Sequence, residues 1–115
     1  MSSQIQQTEI DIAAVNGGAA ERSGVRHGAE LLAFTEAVMA NSTEAMVQTR
    51  NALRAVLTDE EFVDVAAIIG AFNVVTRIAD ATGIPLDPMI RELSAEVRSD
   101  LDLGRFSSAA NTPEA

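Results

Sequence analysis

The segment that runs from TDEE at Thr58 to GIP at Pro85 constrains the fold of this chain more than any other part. Thr58 and the acid three residues later have the spacing of a capping box, which marks a helix start. Gly83 can adopt the left-handed conformation that ends a helix, and Pro85 cannot continue one. The pattern predicts one helix from Asp59 to about Thr82, roughly 36 Å long.

The first half of this predicted helix is apolar nearly all round. Its apolar residues are Phe62, Val63, Val65, Ala66, Ala67, Ile68, Ile69, Ala71 and Phe72. A helix of this kind is expected to be covered on more than one side. Gly70 costs about 1 kcal/mol relative to Ala in a helix interior, so its presence indicates a close crossing of another helix.

The second half carries a polar stripe with the spacing i, i+3, i+4, i+7, which defines one helix face. Its members are Asn73, Thr76, Arg77 and Asp80. The same face is apolar further back, through Phe62, Ala66 and Ile69. Either the helix emerges into water at Asn73, a polar network begins there, or the stripe lines a ligand site. We expect the polar stripe to face the core or another subunit. The simplest interpretation of Arg77 and Asp80 is an ion pair within the helix, because they are three residues apart.

The sequence pattern also predicts helices in the rest of the chain. A short helix is predicted around Ile10 to Val15, another from Ala29 to Asn41, and a third that begins with Asn41 as its cap. Asp87, followed by Pro88, is expected to cap a last helix that ends near Gly104. Aromatic residues make up only 3% of the chain, so the core must be aliphatic. These patterns predict an all-α bundle of about four to five helices with one long central helix.

The expected organisation has three parts. Residues 1–28 form a variable N-terminal segment, residues 29–106 a helical domain, and residues 107–115 a flexible tail.

Charge and composition exclude several classes of function. The net charge is -9, so neither nucleic acid nor an anionic membrane surface is an expected partner. The chain has no Cys, which excludes disulfides, thiolate metal sites and thiol catalysis. The longest apolar run, Val65 to Phe72, is far shorter than the roughly 20 residues of a membrane span. With no secretory signal pattern at the N-terminus, we expect a cytoplasmic protein.

Candidate catalytic residues are few. His27 and Glu30 are the single His and a neighbouring carboxylate. They lack a nucleophile, a third orienting group and metal-ligand spacing, so a loop end followed by a helix start is the favoured interpretation. The scattered glycines form no phosphate-binding motif, and neither a metal nor a cofactor is expected.

The run ALRAVLTDEEFVDVAAIIGAFNVVTRIADATGIPLDP resembles the AhpD-like, carboxymuconolactone decarboxylase superfamily, in particular its peroxidase-related branch. The resemblance covers roughly residues 29–88. The matching residues are Leu57, Thr58, Asp59, Glu60, Glu61, Phe72, Asn73, Arg77, Ala79, Asp80, Gly83, Ile84 and Pro85. Thr76 stands where an Asn is usual in that branch.

The resemblance implies an all-α fold that oligomerises through long helices, as dimers, trimers or hexamers of trimers. In redox-active members an acid, a Cys-x-x-Cys pair and a His lie in the half that precedes the matched part, and this chain has no Cys. The resemblance therefore implies either a diverged, shortened member or a chain that completes a site on a separate subunit.

Three functional hypotheses follow. The first is a non-catalytic homo-oligomer or a partner subunit of a chain that carries the missing half. The second is a Cys-independent decarboxylase or lactone-type enzyme, with Asn73 and Arg77 binding a small acid and His27 or Glu30 carrying the proton. The third is a small-acid binding module that uses the same stripe without turnover.

Overall fold

The computed structural model describes residues 10–16 and 23–112, and these residues form helices without any strand. Within these described residues there are six α-helices: α1 (Ile12–Asn16), α2 (Gly28–Met39), α3 (Thr43–Arg54), α4 (Asp59–Thr82), α5 (Pro88–Leu93) and α6 (Ala95–Asp100). Two 3-10 helices follow, Leu103–Arg105 and Ser107–Asn111. The predicted all-α class with one long helix is confirmed. The chain divides into two compact units between Gly70 and Ala71, inside α4.

Both ends of α4 have the predicted geometry. Thr58 Oγ1 accepts a hydrogen bond from the Glu61 amide at 3.2 Å, and Glu61 Oε2 accepts one from the Thr58 amide at 2.9 Å. Gly83 has a φ of 66°, and the Ile84 amide donates to the Ala79 carbonyl at 3.1 Å. The bond from Ile84 closes the helix C-terminus in the manner of a Schellman motif. Local sequence signals therefore determine where α4 begins and ends.

The prediction that Asn41 caps the next helix is wrong. Asn41 has a φ of 53°, while Ser42 is the residue that caps α3, with its Oγ accepting from the Ala45 amide at 3.3 Å. The physical reason is that Asn tolerates the left-handed conformation, so Asn41 serves the turn after α2 instead.

The last predicted helix is divided in two at Ser94. Asp87 caps its start as expected, accepting from the Met89 amide at 2.9 Å. Ser94 has a φ of -98° and a ψ of 2°, and its hydroxyl donates to the Ile90 carbonyl at 2.6 Å. Local bonding of this kind by Ser weakens a helix interior. The chain beyond also differs from the expected frayed tail, because Ser107–Asn111 is a regular 3-10 helix.

The hydrophobic core lies in the first unit. Phe34 of α2, Leu53 of α3 and Ile69 of α4 are buried together. Their partly buried neighbours are Leu31, Val38, Val56, Leu57, Phe62 and Val65. The rings of Phe34 and Phe62 are 5.5 Å apart between centroids, within the range of favourable aromatic pairs. The first half of α4 is thus held against α2 and α3 by one face.

The expectation that α4 is covered on several sides is wrong for the isolated chain. Ile69 is its one buried residue, while Val63 and Ile68 remain more than half exposed. No atom of the described chain lies within 4 Å of the point where a Cβ on Gly70 would be. The crossing helix that Gly70 indicated is therefore absent from the described part of this chain.

Among the described residues, α4 is one helix whose length and composition would allow it to cross a membrane. Asp64 and Arg77 leave an uncharged stretch of about 12 residues between them, or roughly 18 Å of helix. The hydrocarbon core of a bilayer is roughly 30 Å thick. A spanning α4 would therefore place charged side chains inside hydrocarbon, and the expectation of no membrane span stays a prediction.

The capping box of α4 makes a testable prediction about pH. The hydrogen bond from the Thr58 amide, followed by the charge of Arg26 2.8 Å away, lowers the pKa of Glu61 below 4.5. A lowered pKa contributes stability that is present above pH 4.5 and is lost as the pH falls through the folded-state pKa. Gln can still accept the amide bond but carries no charge. We expect Glu61→Gln to be less stable than the parent at neutral pH, with the difference vanishing in acid. Urea midpoints across this pH range measure it, and a constant difference would contradict it.

Candidate interaction surface

The polar stripe is only partly connected in the structure. Arg77 Nε donates to Asn73 Oδ1 at 3.2 Å, and the Thr76 hydroxyl donates to the Phe72 carbonyl at 2.9 Å. Asp80 takes no part in the ion pairs of the described chain, which join Arg26 to Glu61 and Arg54 to Asp59. The predicted pair between Arg77 and Asp80 is therefore not formed.

The stripe does not point into the core of this chain. Asn73 is half-buried, whereas Thr76, Arg77 and Asp80 are exposed. The inward position expected from the sequence is therefore not observed, and the alternative of a subunit-facing stripe stays a prediction. The polar stripe presents the guanidinium of Arg77, held by its hydrogen bond to the Asn73 amide oxygen. Such a group is better suited to binding a carboxylate than to transferring a proton.

Truncating Arg77 is expected to have a small effect on the stability of the isolated chain. Because the side chain is exposed and bonds to a neighbour on its own helix, Arg77→Ala should lower the free energy of unfolding by less than about 0.5 kcal/mol. Urea unfolding measures this, with Arg50→Ala on the exposed surface of α3 as a control. A loss near 3 kcal/mol for Arg77 alone would show that the stripe is buried against another subunit.

The opposite face of α4 is apolar and open. We call Ala71, Val74, Val75 and Ile78 the apolar stripe; they repeat the i, i+3, i+4, i+7 spacing of the polar stripe, displaced by two residues. Two residues turn an α-helix by about 200°, so the two stripes lie on opposite faces. The three large members of the apolar stripe are each exposed by 55–59%, and the adjoining Phe72 by 66%.

The second unit buries no side chain at all among residues 71–112. Its exposed large apolar residues are Phe72, Val74, Val75, Ile78, Ile84, Leu86, Met89, Ile90, Leu93, Val97 and Phe106. Single exposed apolar residues are ordinary, but a unit with formed helices and no buried side chain is not. The apolar stripe is therefore the best candidate for an interaction surface.

The two catalytic candidates lie at the start of α2. His27 has a φ of 58° just before α2, and its side chain makes no capping hydrogen bond. Both His27 and Glu30 are half-buried in the first unit. Within the described ranges, His, Asp and Glu form no cluster that could hold a metal ion. These positions agree with the loop end and helix start that the sequence favoured.

A cavity of about 340 Å³ in the second unit was not anticipated from the sequence. It is lined by Ile84, Leu86, Arg98, Leu103, Gly104, Phe106, Ser108, Ala109 and Thr112. Sequence reasoning missed it because residues after 106 were expected to be flexible. The apolar Leu103 and Phe106 on either side of Gly104 were the available signal that this part of the chain packs.

Comparison with known proteins yields no relative: no family model, no curated protein and no solved structure matches this chain.

Proposed function

We propose that this protein is a non-catalytic helical subunit that associates with a second copy of itself through the apolar stripe of α4. The observation that carries the proposal is the lack of any buried side chain over residues 71–112. Helices in water gain most of their stability from packing an apolar face, rather than from intrinsic propensity. A second copy supplies the packing that this unit lacks.

The polarity of α4 supports the same conclusion. Beyond Gly70, the face that continues the core of the first unit becomes polar at Asn73, while the apolar stripe opens to solvent. A surface helix of a monomer has the reverse arrangement, with its apolar face inward. If two copies associate through the apolar stripe, the apolar face is buried and the polar face is left toward water, as in an ordinary surface helix.

A second copy is the preferred partner because the apolar stripe contains no charge that would select a complementary protein. Twofold self-association brings the same patch of both chains together, and it is the commonest form of oligomer. In such a pair apolar residues meet apolar residues, and the small Ala71 permits close approach beside Val74 and Val75. The resemblance to the AhpD-like superfamily, which oligomerises through long helices, supports the same choice.

The test is the molar mass in solution, measured by light scattering behind a size-exclusion column over a range of protein concentrations. We expect twice the 12.1 kDa of the chain, or a larger multiple, at micromolar concentration. Because each copy carries a net charge of -9, added salt should strengthen association by screening the repulsion. A folded monomer at all concentrations would refute the proposal.

Two further experiments could refute it in favour of another partner. Flotation of the protein with lipid vesicles would show that a membrane covers the apolar surface. A stable heteromer with a chain that carries a Cys-x-x-Cys motif, formed by a protein that is monomeric alone, would identify it as a partner subunit.

The hydrogen bond between Arg77 and Asn73 favours an alternative function in which the polar stripe binds a small acid. The protein would then be a small-acid binding module, or a Cys-independent enzyme of the decarboxylase or lactone type. A carboxylate bound by Arg77 stabilises the native state by mass action and raises the thermal midpoint. A screen of small carboxylic acids against the parent and Arg77→Gln tests this. Equal shifts, or none, in the two proteins would exclude the polar stripe as the binding site.

A further inference from the structure

We infer that the cavity in the second unit binds a small amphipathic carboxylate, with Arg98 holding its charged group and the apolar walls holding its tail. This site is separate from both stripes of α4.

The guanidinium of Arg98 is fixed in place by two uncharged acceptors. Its Nε donates to Ser94 Oγ at 3.1 Å, and its Nη2 donates to the Arg91 carbonyl at 2.8 Å. A guanidinium has five N–H donors in a rigid fork, so three remain for a ligand. The side chain is half-buried, which reduces the entropy that binding would have to remove.

The charge of Arg98 has no carboxylate partner in the described chain, whose ion pairs involve Arg26 and Arg54. The residues that line the cavity include no acid. A neighbouring depression shares Arg98 but also contains Glu92, whose carboxylate disfavours an anion there. The cavity is therefore the better place for a negatively charged group.

The walls of the cavity are mostly apolar and are tied together. Leu86 donates its amide to Thr112 Oγ1 at 2.7 Å, which joins the loop after α4 to the end of the second 3-10 helix. Asn111 also lies beside Gly83, with its Oδ1 3.6 Å from the point where a Cβ would be. These contacts link the two walls of the cavity.

The ligand class follows from the volume and the charge. A volume of about 340 Å³ is at the lower end of small-molecule sites, which corresponds to a ligand of about ten non-hydrogen atoms. One guanidinium and aliphatic walls fit one carboxylate with an unbranched or aromatic apolar tail. Octanoate has this size and chemistry, and we expect it to bind with a dissociation constant of about 0.1 to 1 mM.

The experiment is isothermal titration of the whole chain with octanoate, compared with octanol and butanoate. Octanol keeps the tail without the charge, and butanoate keeps the charge without most of the tail, so both should bind at least about tenfold more weakly than octanoate. Equal binding of octanoate and octanol, or no heat with any of them at about 10 mM, would overturn the inference.

Three variants locate the site. Arg98→Gln removes the charge and should weaken octanoate at least about tenfold. Gly104→Leu should also weaken octanoate, because Gly104 lines the cavity and no atom lies within 4 Å of its Cβ position, so a larger side chain there takes space from the ligand. Arg50→Gln, which removes an exposed Arg on α3, should bind octanoate like the parent.

The location of the octanoate site can still be determined if one of these variants misfolds. Should Arg98→Gln lose its helical circular dichroism, Gly104→Leu alone decides, since it leaves both hydrogen bonds of Arg98 in place. Unchanged binding in folded Gly104→Leu would place the ligand outside this cavity. Light scattering of the same samples distinguishes a ligand effect from a change in self-association.

Discussion

Replacing Ile78 by Asp is expected to dissociate the oligomer. Ile78 lies in the apolar stripe and is 55% exposed in the isolated chain, so Asp in its place is tolerated by the monomer. In a twofold pair the substitution occurs twice, and each carboxylate would be buried without a partner. We expect the dissociation constant to rise at least about 100-fold, which light scattering over a dilution series would measure.

Thr76→Asp is the matched control for Ile78→Asp. It adds the same charge two residues away on the same helix, but on the polar stripe. We expect it to change the dissociation constant by less than about threefold. If both variants weaken association equally, general repulsion between acidic chains is responsible. If only Thr76→Asp dissociates the protein, the polar stripe is the interface and the assignment to the apolar stripe is wrong.

Replacing Leu53 by Ala is expected to destabilise the first unit strongly, because this side chain lies at the centre of the hydrophobic core. Leu53 has 0% of its surface exposed and packs between Phe34 and Ile69. Truncation removes its transfer free energy and leaves a cavity that the neighbouring helices cannot fill completely. We expect the free energy of unfolding to fall by about 3 kcal/mol, measured by urea unfolding.

Leu93→Ala isolates the effect of burial, because it is the same chemical change in a helix at a position that is 76% exposed. In the dissociated chain it should lower the free energy of unfolding by less than about 0.5 kcal/mol. A loss at Leu93 as large as that at Leu53 under dissociating conditions would show that the second unit has a buried core within one chain. That result would remove the principal support for self-association.

Several elements could be read from the sequence because their causes are local. Thr58 and Glu61 satisfy each other's amides within one turn, and Gly83 adopts its positive φ at the other end of the helix, so α4 has the predicted bounds. The error at Asn41 had a local cause too. Asn and Ser are both good caps, and the choice of Ser42 depended on which residue would close the preceding helix.

The candidate sites were less accessible to sequence reasoning. The spacing of Asn73 and Arg77 correctly placed them within reach of each other, because i, i+4 neighbours meet on any helix. The cavity around Arg98 was missed because it depends on the fold of residues 103–112 against the loop after α4. Contacts between residues 26 positions apart, as for Leu86 and Thr112, leave no periodic signal in a sequence.

The sequence by itself determined the helical class, the ends of the long helix and the composition of its two opposite faces, because capping and periodicity act within one or two turns. Only the tertiary structure decided which face is covered. Phe62, Val65 and Ile69 pack against α2 and α3, whereas the side chains of Val74 and Ile78 remain more than half exposed. Apolarity shows that a face needs a partner, but it is the arrangement of the other helices that determines whether one chain can supply that partner.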